Sequence, residues 1–238
     1  MNEFQLSVFA ARAPWLVHAP SIAVWLGRLS VDVPQSHAVE KIFFGDAVPE
    51  MKVQNGFAII PVQGVLLNNP TFLERGFGAM GYRDVADNID EALGTPGMRG
   101  IVLAINSPGG SATGYEELAG KVKSAGSSMP IIAFTDSLAA SAAYWLALSA
   151  SKSYCTPSAT VGSIGTILTT VDLSRMYERA GITVREFVSG PYKNAGSRVT
   201  PMSDDHKSYF QSIVDESASV FKAAVRSSRV PDSPSARG

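Results

Sequence analysis

The sequence has a single cysteine, Cys155, in 238 residues, which excludes an internal disulfide. Set in the apolar stretch Ser153-Tyr154-Cys155, it reads as a small buried filler. Three histidines are too few and too scattered to suggest a metal site; His18 and His37 have no clustered ligands, and no cofactor motif stands out. Charge is also scarce. Asp, Glu, Lys and Arg make up 17% of the chain, where a soluble domain carries about a quarter, so surface is expected to be buried between subunits as a homo-oligomer. Twenty basic against 21 acidic residues leave a net charge of −1 with no Lys/Arg-rich block, which argues against a nucleic-acid partner and leaves a polypeptide. No apolar run reaches the roughly 18 residues of a membrane span, because Arg12, Pro14, Pro20 and Arg28 interrupt the apolar patches of Met1 to Leu29. The expectation is a cytoplasmic protein without a membrane anchor.

What the chain does have is a regular alternation. Gly56 to Leu67 reads as a strand, a turn at Gly64 and a continuation, and Asn68 to Gly81 as a loop. Val85, Ile89 and Leu93 give Tyr82 to Leu93 one apolar helical face, and the apolar run Ile101 to Ile105 is a buried strand. A helix from Gly114 to Ala125 carries Glu116 and Glu117 near its start and Lys121 and Lys123 near its end, as the helix dipole favours. Pro130 to Phe134 is the next strand. A strand from Ile164 to Val171, a helix from Asp172 to Ala180 and a strand from Thr183 to Val188 form a further unit, and Ser203 caps a long helix reaching about Val225. Alternation of this kind predicts an α/β fold with a mostly parallel sheet. Residues 1–49 read as an N-terminal arm with a helix at Ser21 to Leu29, residues 50–226 as the main domain, and residues 227–238, polar and proline-rich, as a linker-like tail.

Three stretches carry chemistry. Ser141 stands among Ala139, Ala140, Ala142 and Ala143 just ahead of the apolar run Tyr144 to Leu148, which places it in the first turn of a buried helix. There the unpaired N–H groups and the positive end of the dipole favour an oxyanion beside a nucleophile; the plainer role for such a serine is a helix cap. Upstream, Asn106-Ser107-Pro108-Gly109-Gly110 ends a strand in a loop whose glycines allow close backbone approach. Downstream, Ser189-Gly190-Pro191-Tyr192-Lys193-Asn194 presents a lysine, and a Ser/Lys pair is one form of nucleophile and base. Two other matches fail on context. Gly76 to Gly81 fits G-x-G-x-x-G, but the next strand ends at Asn106 where a dinucleotide site needs an acid, and Ser149 to Lys152 fits S-x-x-K without a companion K-T-G.

SPGGS at Ser107 to Ser111, AAS at Ala139 to Ser141, VGSIGT at Val161 to Thr166 and SGPYK at Ser189 to Lys193, in this order, resemble the Ser/Lys signal peptide peptidase family of the ClpP/crotonase superfamily. The resemblance covers roughly Gly56 to Phe221. It implies repeated β-β-α units, a nucleophile at Ser141, a general base at Lys193, and Ser163 orienting the lysine. It also implies oxyanion donors at the N–H of Gly110 (or Gly109) and Ala142. The chain departs from the family where Ala142-Ala143 replaces the usual Gly-Gly after the serine. The missing anchor, the arm, the tail and the similarity of Pro14 to Pro20 to the opening of proteases from lambda-like phages make the head-maturation branch the nearest fit. Scaffold, capsid and portal proteins are the partners that fit implies. The competing readings are a soluble bacterial peptidase, a crotonase-like acyl-CoA enzyme and a non-catalytic assembly scaffold.

Overall fold

The structure is a computed structural model, and it describes residues 15–17 and 50–228. The helix expected at Ser21 to Leu29, both His18 and His37, and nearly all of the arm and tail lie outside the described residues.

A five-stranded sheet holds the core. Its strands are β2 (Lys52–Gln54), β3 (Phe57–Gln63), β6 (Gly100–Asn106), β8 (Ile131–Thr135) and β10 (Lys152–Cys155), in the spatial order β10-β8-β6-β3-β2. All neighbours run parallel except the edge hairpin β2/β3. Alternation in β3 puts Ala58, Ile60 and Val62 wholly inside, and Ile101, Leu103 and Ile105 do the same in β6. Two helices cover that face. In α2 (Tyr82–Gly94) the buried positions Tyr82, Val85, Ile89 and Ala92 share one side, as do Tyr115, Leu118, Val122 and Ala125 in α3 (Tyr115–Ser128). Each fully buried aliphatic side chain contributes about 1.5–3 kcal/mol relative to exposure, which is why this seam fixes the architecture. The sheet's other face is only partly covered: the row Pro61, Ala104, Phe134 and Tyr154 runs across four strands, and Tyr154 is exposed.

A second sheet, of four short strands, closes one end of the first. Here β1 (Trp15–Val17) pairs antiparallel with β7 (Gly109–Ser111), followed by β4 (Leu66–Leu67) and β5 (Met80–Gly81). Gly110 lies so close to β4 that a Cβ there would meet the Leu66 carbonyl oxygen at 1.6 Å, so this approach requires glycine. A pair of parallel strands, β9 (Leu138–Ala140) and β11 (Thr160–Gly162), flanks α4 (Ala142–Ser149). The long last helix α6 (Asp204–Ser228) returns to the core through Phe221, which is fully buried and stacks on Trp145 of α4 at 4.9 Å between ring centroids. Trp145 meets Tyr115 at 4.3 Å and Tyr115 meets Tyr82 at 5.9 Å, so one aromatic column ties four helices together.

The α/β class with a mostly parallel sheet and the long Ser203-capped helix match the sequence reading; the His206 N–H donates to Ser203 Oγ at 3.2 Å. Four expectations need correction. The segment Asn68 to Gly81 is not all loop, because Thr71 and Glu74 form a capping box that starts the short helix α1 (Phe72–Gly76). The SPGGS loop itself supplies strand β7. Cys155 is exposed, since its strand β10 forms the sheet edge with every residue open to solvent. The fourth correction concerns residues 164–188. Around the helix α5 (Ser174–Arg179) no strand forms among the described residues at Ile164 to Val171, which carries only a single bridge at Ile167, or at Thr183 to Val188. The latter is exposed on both sides, with Phe187 at 94%, so no core packing rewards pairing there.

Candidate active site

Ser141 joins β9 to α4 at a turn that the backbone makes sharply. Its φ of 55° and ψ of −119° match the first central position of a type II′ turn, which normally selects glycine. A serine held there is strained by about 1–3 kcal/mol, and such strain persists only where surrounding contacts impose it. Those contacts are visible. The Ser141 N–H donates to the Gly162 carbonyl at 2.7 Å, and the Ser141 carbonyl accepts from the Trp145 N–H at 3.0 Å to open the helix. The Ala140 N–H donates to Ser107, whose own N–H donates to Leu138. The turn is therefore gripped between the end of β11, in the VGSIGT motif, and the loop after β6, in the SPGGS motif.

The serine side chain makes no cap. Its Oγ is buried and has no hydrogen-bond partner, so the capping role considered for it is excluded. A strand-to-helix turn with positive φ at the serine shares the backbone course of a nucleophile elbow, with the hydroxyl here buried. Ala142 and Ala143, where Gly-Gly was expected, are fully buried, and the turn forms with them in place. Ala142 begins the helix, so its N–H has no carbonyl partner within α4.

Ser107, which the sequence reading left without a role, organises the glycine loop. Its hydroxyl donates to the Gly64 carbonyl at 2.7 Å and accepts from the Gly109 N–H at 3.1 Å. Gly109 has a φ of 96°, a conformation glycine reaches freely. The sequence signal was there: a serine two residues before glycine is the pattern of a hydroxyl-closed turn.

The structure does not bring Lys193 to Ser141. Lys193 is exposed, in a turn closed by its own N–H donating to the Gly190 carbonyl, and it makes no hydrogen bond to Ser141 Oγ. The reason is the same one that left Thr183 to Val188 unpaired: little of residues 164–200 reaches the core. Ser163 is exposed also, with a φ of 57°, directly after the Gly162 that holds the Ser141 backbone. The lysine turn is instead held by polar contacts. Ser197, Asn194 and Thr200 all donate to Glu186, and these bonds, Ser197's first, keep its carboxyl below the usual range. Among the described residues there is no group of acidic, histidine or cysteine side chains able to hold a metal ion, and no helix long and apolar enough to cross a membrane.

Residues 123–235 match the model of peptidase family S49. Capsid assembly protease C of Escherichia phage lambda is 28% identical over 174 residues, covering 73% of this chain and 40% of that protein. The head-tail preconnector protein GP5 of Enterobacteria phage P21 is 28% identical over 174 residues, covering 73% of this chain and 35% of that protein. A chloroplastic serine protease, SPPA, of Arabidopsis thaliana is 24% identical over 132 residues, covering 55% of this chain and 20% of that protein. The chain thus spans well under half the length of these relatives.

Proposed function

From the match of residues 123–235 to the model of peptidase family S49, we propose that this chain is a serine endopeptidase of that family with Ser141 as nucleophile and Lys193 as general base. The observation that carries the reading is the strained turn at Ser141, which keeps a buried hydroxyl without a partner at the start of a helix. In the reaction the uncharged Lys193 amine takes the proton of Ser141 Oγ as that oxygen attacks the scissile carbonyl carbon. The oxyanion is received by the N–H groups of Ala142 and Gly110, or of Gly109 once it exchanges its bond to Ser107. The lysine ammonium then gives its proton to the leaving amine, and water attacks the acyl-serine by the same route in reverse. Ser163, next to Gly162, orients the lysine amine.

The missing burial of Lys193 is supplied by self-association. Ile164, Ile182, Val188 and Tyr192 are all exposed around the lysine segment, and along the row from Pro61 to Tyr154 the sheet's second face is only partly covered, with Phe134 and Tyr154 exposed. A second copy of the chain would cover such apolar surface and exclude water from the amine. The substrates are scaffold and capsid proteins cleaved during phage head maturation, a reading that rests on the similarity to the lambda capsid assembly protease. Incubating the purified chain with scaffold and major capsid proteins tests it. Cleavage by the parent and none by Ser141→Ala or Lys193→Ala is expected; equal cleavage by Ser141→Ala overturns the assignment. Binding of CoA thioesters with no proteolysis would turn the reading toward acyl-CoA chemistry.

A further inference from the structure

The segment that carries Lys193 is held by two side chains outside the reacting centre. On one side of the lysine the Glu186 carboxylate receives three donors: Asn194 Nδ2 at 3.0 Å and Thr200 Oγ1 at 2.8 Å on Oε2, and Ser197 Oγ at 2.7 Å on Oε1. On the other side His206 Nε2 meets the Pro191 carbonyl at 2.7 Å. A carbonyl oxygen only accepts, so that ring nitrogen carries the proton. The Tyr192 ring, between Pro191 and Lys193, lies 5.0 Å from Tyr209 and 6.0 Å from His206.

These contacts add to a modest set of others: the Leu173 N–H donates to the Arg198 carbonyl at 2.8 Å, Phe210 lies against Gly196, and turn bonds close within residues 190–197. Residues 182–188 belong to no helix or strand among the described residues, and Phe187, beside Glu186, is almost wholly exposed. The Glu186 carboxylate joins residues 182–188 directly to residues 194–200, so it bears on the path of one segment relative to the other. A base displaced by about 1 Å from its proton can lose about a hundredfold in rate, so the holding group bears on the chemistry without touching the substrate.

We propose that Glu186 is a positioning residue for Lys193, its carboxylate clasping Asn194, Ser197 and Thr200 so that the loop presents the lysine amine in one geometry, with His206 on Pro191 as the second anchor. The inference rests on the reading of Lys193 as the base. Glutamine can keep the clasp without the charge: its carbonyl oxygen accepts from Asn194 and Thr200, while its amide donates to the Ser197 hydroxyl. Leucine keeps the bulk and none of the bonds.

The test is casein cleavage by the full chain together with amide hydrogen exchange. Glu186→Leu is expected to lower kcat about tenfold or more with KM within about twofold of the parent. Exchange should quicken over residues 190–200 and stay unchanged over β6 and α3. Glu186→Gln is expected to restore kcat to within about twofold of the parent. Should Glu186→Leu fail to fold, the double variant Ser197→Ala with Thr200→Val removes two of the three donors and has to reproduce the loss of kcat. A Glu186→Leu enzyme with parental kcat beside an inactive Lys193→Ala overturns the clasp, as does Glu186→Gln no better than Glu186→Leu, or exchange that quickens throughout the domain. An active Lys193→Ala instead overturns the lysine as base, and the exchange pattern of residues 190–200 then still reports on the clasp by itself.

Discussion

Removing the Ser141 hydroxyl should make the protein more stable as it makes it inactive. The Oγ is 1% exposed by residue and has no partner, so the folded state bears the cost of taking a hydroxyl from water without a compensating bond. That cost is about 1–3 kcal/mol for an unsatisfied buried polar group, and a methyl group in the same place avoids it. Against this stands the loss of a small packed atom, worth a few tenths of a kcal/mol at the atomic contact energies of about 0.1–0.2 kcal/mol each. Ser141→Ala should therefore gain about 1 kcal/mol. Ser141→Gly adds relief of the positive-φ strain, about 1–3 kcal/mol, offset by about 0.5–1 kcal/mol of extra chain entropy in the unfolded state. It should equal or exceed Ser141→Ala. Urea unfolding followed by tryptophan fluorescence reads the difference, because Trp145 lies one helical turn from Ser141 and is buried. With about 2–4 °C of melting temperature per kcal/mol for a chain of this size, calorimetry resolves it too. Loss of more than about 1 kcal/mol in Ser141→Ala would refute the reasoning, since it would mean that the hydroxyl makes a stabilising bond, as a cap does.

Lys193→Arg should be as inactive as Lys193→Ala, because arginine keeps the charge and the reach but does not deprotonate, and turnover above about a tenth of parental, roughly 1.4 kcal/mol in the barrier, contradicts a lysine base. Phe221→Ala should cost about 3–5 kcal/mol in chemical unfolding, since the ring is fully buried on Trp145 and its loss opens the seat of α6. The Glu186 carboxyl is held below its ordinary range by the Ser197, Asn194 and Thr200 donors, so its hold on the loop is complete above the ordinary glutamate value and is lost as pH falls through the lowered one. Hydrogen exchange over residues 190–200 should accordingly be flat near neutrality, apart from the intrinsic dependence on hydroxide, and gain a protection loss only in acid. Specific activity should rise with protein concentration as copies associate, and a monomer of 25.2 kDa that is fully active at the lowest dilution contradicts assembly as the source of Lys193 burial.

How much of this was legible in the sequence follows the depth of burial. Strands β3, β6 and β8 and helices α2 and α3 were readable because Ile60, Leu103, Ile131, Ile89 and Val122 repeat at the period their element imposes, and all are fully inside. Ser141 was placed at its helix start, although its positive φ was not foreseen: the strain comes from Gly162 and Ser107, distant in sequence, holding the turn from both sides. Thr71-x-x-Glu74 was a visible capping box that a Gly-rich context concealed. Thr183 to Val188 has the composition of a strand and yet pairs with no strand among the described residues, because β-preference expresses packing against neighbours and this segment is largely exposed. Cys155 was assigned by residue type, and its edge strand decided otherwise.

The central claim is that Ser141 is an activated nucleophile, and covalent labelling tests it most directly. The assembled parent is treated with a fluorophosphonate and the modified residue is located by mass spectrometry, with Ser141→Ala and Lys193→Ala alongside. A single adduct on Ser141, absent from Ser141→Ala and slowed at least about a hundredfold in Lys193→Ala, is the predicted result. An unlabelled Ser141 in a preparation that cleaves casein, or an adduct carried by Ser163 instead, would contradict it.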